Sequence, residues 1–260
     1  MNRIEGRNSL FSFEKNCKKI LYMKILLTND DGYNAEGILL LRDKLAKYGD
    51  VTIVAPFEHM SAKSASITVD KWVKLDQIDE KTFALHGTPT DCAVFALSEI
   101  DRDFDLVVSG CNNGPNLSYD VLLSGTVGAC FGAMVFNKKT VAFSAPHGDF
   151  SCLIEHFDEV WEFINKHNLL STEYCLNINF PRASFKGIKL GRVYYRKDYY
   201  YFDKKDDTYY ALRDLQDYKE IPEDADCRQV KEGYVSIAPL SRLPFNEEQY
   251  QELVKKVQDQ

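Results

Sequence analysis

Residues 25–32 read ILLTNDDG, a short apolar run that ends in an asparagine and two adjacent aspartates. The unbroken apolar run predicts a buried parallel strand, because a strand covered on both faces loses its polar alternation. Polar residues that leave the carboxyl end of such a strand lie where open α/β sheets bind their ligands. Asp30 and Asp31 repel each other, and a bound cation relieves that repulsion. The segment therefore predicts a metal site or an acid pair at the end of the first strand.

A strand, a helix and a second strand follow one another between residues 25 and 56. Residues 35–48 carry apolar side chains at helical spacing, and Gly49 is a suitable residue to end the helix. Residues 51–56 then read as an apolar strand that ends at a proline. This βαβ unit implies a right-handed crossover and a parallel sheet.

The alternation of strands and helices continues to residue 180. The patterns predict a hairpin over 67–86, a helix over 87–100, a strand over 104–110, a helix over 126–136, a strand over 140–145, a helix over 150–167 and a strand over 174–180. The helix after Gly87 is expected to have Thr88 as its N-cap and Asp91 in its first turn. We therefore predict an α/β fold of three layers, with a Rossmann-like, doubly wound, mostly parallel sheet.

The sequence changes in character after Pro181. Residues 194–210 are rich in tyrosine and charge, residues 217–233 are acidic, and residues 234–239 read as an isolated strand. Because such pieces cannot bury a core of their own, they predict a C-terminal extension of β-hairpins and arms. The predicted parts are an N-terminal extension (1–22, disordered or derived from an upstream start or a linker), an α/β catalytic core (23–185) and a C-terminal extension with oligomerisation arms (186–260).

The composition disfavours several classes of protein. The chain of 260 residues has a net charge of -7, which argues against a nucleic-acid duplex as partner, because affinity there comes largely from Lys and Arg. No apolar stretch approaches the ~20 residues of a transmembrane helix, so no membrane partner is expected. The seven cysteines are scattered, which disfavours a disulfide framework or a zinc ribbon and predicts a cytoplasmic protein.

Three strand ends place oxygen donors at one edge of the predicted sheet. The first supplies Asn29 together with the two aspartates, the second is followed by Ser61 and Ser66, and the third by Asn112 and Asn116. Carboxylate, hydroxyl and amide oxygens are the ligands that Mg²⁺ and Mn²⁺ prefer. The absence of histidine and thiolate from this set argues against zinc.

Residues 124–129 read SGTVGA and predict an anion site where a helix begins. Ser124, Gly125 and Thr126 lie where backbone N–H groups have no intrahelical acceptor, and these groups with the helix dipole can hold a phosphate. The segment alone is weak evidence, because any capped helix near glycines looks similar. A metal cluster and an anion site at one sheet edge together indicate metal-assisted chemistry on a phosphate.

Structural roles also explain these residues one at a time. Asp30 and Asp31 could cap the turn after the first strand. Ser61 and Ser66, taken singly, are more typical of solvated loop residues, and the asparagines suit left-handed turn geometry. Among the dispersed histidines, His59 is the one near the proposed site.

The motifs, taken together and in order, resemble the SurE (survival protein E) family of 5′/3′-nucleotidases. They are TNDDG at 28–32, Ala55-Pro56 with Ser61-Ala62, GTPTDC at 87–92, VSGCNNGPN at 108–116, SGTVGA at 124–129 and EGYVSI at 232–237 with Pro239-Leu240. Each motif is modest alone, but the ordered set is highly specific, and it spans roughly residue 23 to the C-terminus.

The resemblance implies a set of site residues and an assembly. One divalent metal ion per subunit, Mg²⁺ or Mn²⁺, would be held by Asp30, Asp31, Ser61 and Asn112. The substrate and its phosphate would be bound by Asn29, Ser66, Asn116, Ser124, Gly125 and Thr126. Asp30 and Asp31 would also be the catalytic groups, as base or nucleophile. The family's arm exchange implies a homodimer or homotetramer formed through the C-terminal extension.

We therefore predict a divalent-metal-dependent phosphomonoesterase that hydrolyses nucleoside 5′-monophosphates, with 3′-monophosphates as further candidate substrates. The alternative is a non-catalytic regulatory α/β domain that binds metal and nucleotide and turns nothing over. A receiver-like signalling domain would need a further aspartate after the third strand, where the chain has Asn112. A haloacid-dehalogenase phosphatase would need a D-x-D pattern, which residues 29–32 lack.

Overall fold

The computed structural model describes residues 22–182, 184–195, 199–214, 221–241 and 247–258. The predicted N-terminal extension, apart from Tyr22, lies outside the described residues, and so do parts of the tyrosine-rich and acidic segments.

The secondary structure confirms the predicted alternation. The elements are β1 (Met23–Thr28), α1 (Glu36–Leu45), β2 (Gly49–Pro56), β3 (Leu75–Gln77), β4 (Thr82–Leu85), α2 (Pro89–Phe95, continued by a π-helical turn at Ala96–Ile100), β5 (Leu106–Asn113), α3 (Asp120–Leu123), α4 (Gly125–Met134), β6 (Lys139–Ala145), α5 (Ser151–Lys166), β7 (Tyr174–Asn179), β8 (Ile188–Leu190), β9 (Tyr199–Lys205), β10 (Thr208–Asp214), α6 (Asp226–Lys231), β11 (Val235–Ser241) and α7 (Glu247–Gln258).

One sheet of nine strands organises the fold, in the order β3-β4-β2-β1-β5-β6-β7-β11-β8. The pairs from β4 through β2, β1, β5 and β6 to β7 are parallel, whereas β3 and β11 run antiparallel to β4 and β7. The predicted doubly wound, mostly parallel sheet is thus confirmed. β1 lies between β2 and β5, so the order of strands reverses there.

The apolar run of β1 is buried on both faces, as its composition predicts. Ile25 and Leu27 pack in the larger core with residues of α1 and α5, whereas Leu26 packs on the opposite face with residues of α2 and α4. All three side chains have no exposed surface. Helices therefore cover both faces of the sheet and make three layers.

The strand predicted to be isolated at residues 234–239 is not isolated. β11 pairs antiparallel with β7 and parallel with β8, and Val235 and Ile237 are fully buried in the larger core. Without this pairing β7 would be an open edge of the sheet. The predicted hairpin near the tyrosine-rich segment does form, as the separate two-stranded sheet β9–β10. The nine-stranded sheet thus spans residue 185, and the division of the chain there stays a prediction.

Two other bounds differ from those expected. Strand pairing within residues 67–86 is confined to β3 and β4, and the third parallel strand continues past Gly110 to Asn113. Within the described part of the chain, none of the helices combines the length and the apolar character needed to cross a bilayer.

Candidate active site

The carboxyl ends of β1 and β5 meet where the order of strands reverses, which is where open α/β sheets form a ligand crevice. The residues that follow β1 are Asn29, Asp30 and Asp31, and the last two residues of β5 are Asn112 and Asn113. The structure therefore brings two of the three predicted groups of oxygen donors to one place.

Asn29 closes the turn that carries the aspartates. Its side-chain Nδ2 donates to the carbonyl of Gly32 at 2.8 Å, and the Gly32 amide donates back to Asn29 Oδ1 at 3.1 Å. Gly32 has a φ of 112°, a left-handed conformation that favours glycine. The buried Asn29 amide thus shapes the turn, and both of its polar atoms are engaged within it.

Asp30 is buried against the start of α4. The Thr126 hydroxyl donates to Asp30 Oδ1 at 2.6 Å, and the Met60 amide donates to the Asp30 backbone carbonyl at 2.7 Å. Burial raises the pKa of the Asp30 carboxyl to about 6, against the lowering effect of the Thr126 hydrogen bond, and the charge of Asp31 adds to the rise. The protein alone therefore holds this carboxylate in an unfavourable environment.

Asp31 joins the ends of three strands. Its Oδ2 accepts a hydrogen bond from the Asn113 amide at 3.0 Å, and its Oδ1 lies 3.3 Å from His59 Nδ1, on the loop after β2. Asn112, which precedes Asn113, donates from Nδ2 to the Gly114 carbonyl at 2.7 Å. The prediction that His59 lies near the site is confirmed.

The loop with Ser61 and Ser66 lies across the start of α4. The amide and hydroxyl of Ser64 donate to the carbonyls of Leu123 at 3.0 Å and Leu122 at 2.8 Å. A Cβ at Gly128 would stand 2.1 Å from the Ser64 carbonyl oxygen, so the loop backbone rests directly on the helix. Ser61 follows Met60, whose amide donates to the Asp30 carbonyl, and this contact places Ser61 beside the donors that follow β1.

The start of α4 has the form expected of an anion site. Ser124 is the N-cap, and its hydroxyl accepts the Val127 amide at 3.1 Å. Gly125 lies against Asp30, because a Cβ there would be 2.9 Å from the Asp30 Cβ. The amides of Gly125 and Thr126 belong to the first turn, where N–H groups have no intrahelical acceptor. Helix dipole and carboxylate thus face each other.

Asn116 lies in a buried amide cluster next to the crevice. Its Nδ2 donates to Ser144 Oγ at 2.9 Å, and its backbone amide donates to Asn179 Oδ1 at 2.8 Å. Its carbonyl accepts from Nδ2 of Asn177 at 2.8 Å and of Asn179 at 3.1 Å. The sequence reading missed Asn177 and Asn179, although two asparagines spaced two apart in a buried strand are a signal of this kind of role.

A buried carboxylate from α6 also reaches the loop after β5. Asp226 has no exposed surface, and its Oδ2 accepts the Ser118 amide at 3.1 Å while its Oδ1 accepts the Tyr194 amide at 3.3 Å. The sequence reading missed this contact, because the acidic segment around Asp226 offers many equivalent carboxylates. The loop that carries Asn116 is therefore fixed from both β7 and α6.

The predicted metal ligands comprise two carboxylates, a hydroxyl and an amide. No group of three or more His, Cys, Asp and Glu side chains suited to a metal ion occurs among the residues that the structure describes. An all-oxygen set with two acids fits a hard cation such as Mg²⁺ and does not fit a zinc site. The fold and the crevice define a doubly wound α/β protein with an acidic, oxygen-lined site facing a helix N-terminus.

The chain belongs to the SurE family: residues 25–199 match the family model described as Survival protein SurE. The 5′-nucleotidase SurE of Clostridium botulinum (strain Alaska E43 / Type E3) is 35% identical over 254 residues, 90% of this chain and 99% of that protein. The 5′-nucleotidase SurE of Vibrio cholerae (El Tor Inaba N16961) is 36% identical over 84% of this chain and 91% of its own. The crystal structure of the SurE protein from Aquifex aeolicus superposes with a TM-score of 0.77 at 30% identity, over 90% of this chain and 99% of that one.

Proposed function

We propose that the chain is a divalent-metal-dependent 5′-nucleotidase that hydrolyses nucleoside 5′-monophosphates to nucleoside and phosphate, with 3′-monophosphates as further substrates. The observation that carries the proposal is the buried Asp30 carboxylate, set between Asp31 and the first turn of α4. Relatives named 5′-nucleotidase SurE that align over most of the chain support the substrate class.

Asp30, Asp31, Ser61 and Asn112 are the proposed ligands of one Mg²⁺ or Mn²⁺ ion. Two backbone contacts support this set, because Met60–Asp30 brings Ser61 beside the aspartates and Asn113–Asp31 does the same for Asn112. A bound cation would favour the charged form of Asp30, which burial disfavours. Such an ion supplies polarisation of a phosphate oxygen and orientation of a water molecule.

The first turn of α4 is the proposed cradle for the phosphate. The amides of Gly125 and Thr126 would stabilise negative charge on the phosphate oxygens, because they are already oriented by the helix. Ser124 holds the turn through its cap, and Ser66 lies on the loop whose backbone at Ser64 and Ala65 contacts α4. Asn29 and Asn116 shape the walls, since their side chains are engaged in the turn after β1 and in the amide cluster.

The two aspartates are also the proposed catalytic groups. A carboxylate within reach of the attacking water accepts its proton, or attacks the phosphorus itself as a nucleophile. Asp30 is buried and held by Thr126, whereas Asp31 is partly exposed and held by Asn113. Either carboxylate remains a candidate for the base or the nucleophile.

Phosphate release from a panel of nucleotides, each assayed with Mg²⁺, Mn²⁺ or EDTA, tests the proposal on the full chain. We expect release from nucleoside 5′-monophosphates with metal and none with EDTA, because two uncompensated carboxylates at the site repel the phosphate. A protein that binds AMP in calorimetry but releases no phosphate with either metal would be the regulatory alternative.

The C-terminal region is the proposed oligomerisation surface of a homodimer or homotetramer. Tyr250 and Leu253 are exposed on the amphipathic helix α7, and Phe202 is exposed on the hairpin β9–β10. Exposed apolar side chains on separate arms are typical of subunit contacts. Light scattering behind size-exclusion chromatography is expected to give a dimer or tetramer mass, and a monomer at micromolar concentration would contradict it.

We further propose a division into a catalytic core at residues 23–185 and an extension at 186–260, and a location in the cytoplasm. The two-stranded sheet β9–β10, which stands apart from the main sheet, supports the division. The six cysteines of the described part are all buried thiols, which suits a reducing compartment.

A further inference from the structure

Asp91 makes more hydrogen bonds than the start of a helix requires. The helix α2 begins with a capping box, in which the Thr88 hydroxyl accepts the Asp91 amide at 3.0 Å and Asp91 Oδ2 accepts the Thr88 amide at 2.8 Å. These two bonds satisfy the helix end. Asp91 is buried, with 7% of its surface exposed, so its remaining acceptor capacity needs protein partners.

The additional bonds of the capping box all reach one loop. Asp91 Oδ1 accepts the Thr68 amide at 2.8 Å, and Asp91 Oδ2 accepts the Thr68 hydroxyl at 2.6 Å. The Thr88 hydroxyl, which accepts in the cap, also donates to the Ser66 carbonyl at 2.6 Å. We name these four residues, Ser66, Thr68, Thr88 and Asp91, the Asp91 clamp.

The loop has little apolar burial to hold it in place. Residues 61–74 contain no helix or strand, and their apolar side chains face outward: Ile67 is 51% exposed, Val69 64% and Trp72 103%. Polar contacts therefore determine where its backbone lies. Hydrogen bonds to a buried carboxylate are stronger than bonds between neutral groups, which makes the clamp the firmest of these contacts.

The clamp lies beside the proposed phosphate cradle. A Cβ at Gly125 would be 3.1 Å from Pro89 Cγ, so the first turns of α2 and α4 touch. The same loop contacts α3 and α4 through Ser64, by its hydrogen bond to Leu123 and its carbonyl against Gly128, and contacts α2 through Thr68. Its two anchors thus fix Ser66 between the two helix starts.

We propose that the Asp91 clamp positions the loop of residues 61–68 over the phosphate site, and that Thr68 is a positioning residue for substrate binding. The inference rests on the proposed function and adds to it a part of the site that contacts no reacting atom. A loop held at this place would contact bound substrate and no reacting atom, so loss of its order should weaken substrate binding more than it slows the chemical step.

Thr68→Val tests the clamp, because it keeps the shape of the side chain and removes only the hydroxyl. We expect kcat/KM for AMP to fall about tenfold, mostly through KM, since a hydrogen bond to a charged group is lost. Thr68→Ser should restore kcat/KM, because it restores the donor. Thr172→Val, before β7, is the matched control, since the Thr172 hydroxyl makes a long hydrogen bond of 3.4 Å to the neighbouring Glu173 and takes no part in the clamp.

Hydrogen exchange of residues 63–70, measured with and without inorganic phosphate, is the second readout. We expect faster exchange in Thr68→Val than in the wild type, Thr68→Ser and Thr172→Val. Faster exchange with unchanged kcat/KM would show that the clamp only anchors the loop, and it would overturn the proposal. Unchanged exchange in Thr68→Val would also overturn it. The wild type could release no phosphate from nucleotides and yet show slower exchange with phosphate, an effect that Thr68→Val loses. That result would overturn the nucleotidase function and support the role of the clamp in positioning the loop.

Discussion

Asp30→Asn is expected to lower kcat for AMP hydrolysis by about 10³-fold, the range typical of removing a general base. Asparagine keeps the shape of the side chain and can still accept a hydrogen bond from the Thr126 hydroxyl. It has no negative charge to bind a metal ion and cannot accept a proton as a general base. The fold should survive, because burial already raises the pKa of Asp30 to about 6 and the folded protein therefore disfavours its charge. Steady-state kinetics with Mn²⁺ and a thermal melt in EDTA measure the two effects.

The sign of the stability effect follows from proton linkage. A carboxyl whose pKa is higher in the folded than in the unfolded protein makes the folded state less stable as the pH rises between those two pKa values. For Asp30 this range is from 3.8 to about 6. At pH 7.5 the neutral Asp30→Asn protein should thus melt no lower than the metal-free wild type. Asp103→Asn, on the exposed turn before β5, is the control. Wild-type turnover in Asp30→Asn would refute the assignment of the site.

Gly128→Ala is expected to lower kcat/KM by about 10²-fold, the loss that a displacement of roughly 1 Å at a site produces. The new Cβ would lie 2.1 Å from the Ser64 carbonyl oxygen and 2.7 Å from the Ala65 nitrogen. Both are backbone atoms, so the loop has to move away from α4. Alanine is more favourable than glycine in a helix by about 1 kcal/mol, which offsets part of the strain and limits the fall in melting temperature.

Gly132→Ala is the matched control on the same helix. Its Cβ would meet the Thr90 Cγ2 methyl at 2.8 Å, whereas the nearest backbone atom, the Thr90 carbonyl oxygen, is 3.6 Å away. A side-chain methyl yields more easily than a loop backbone, so activity should fall far less than in Gly128→Ala. Equal losses in the two variants would show that packing of α4, and not the loop, sets the activity.

Local patterns were enough to predict the core of this fold. The unbroken apolar run of Ile25, Leu26 and Leu27 indicates a strand covered on both faces, and no other part of the sequence is needed for this prediction. The capping box of Thr88 and Asp91 is likewise a local motif, and the structure contains it. The donors after β1 and β5 converge because parallel strands that are neighbours end at the same edge.

Contacts between distant segments could not be read in the same way. Nothing near residue 235 indicates that β11 pairs with β7, since pairing depends on which edge of the sheet is left open. Thr68 reads as an ordinary loop threonine, and only its contact with Asp91, 23 positions away, gives it a role. Asn116 is predicted to bind the substrate, and the local sequence gives no sign that its side-chain donor is engaged with Ser144.

The Asp226–Ser118 contact has a consequence for the order in which the protein is made. Ser118 lies in the loop that follows β5, and its partner carboxylate comes 108 residues later. A ribosome therefore releases the loop long before it releases the group that fixes it. A nascent chain that ends before α6 contains the residues of the crevice but lacks Asp226, which binds the loop after β5. The site therefore reaches its final form only as synthesis nears its end.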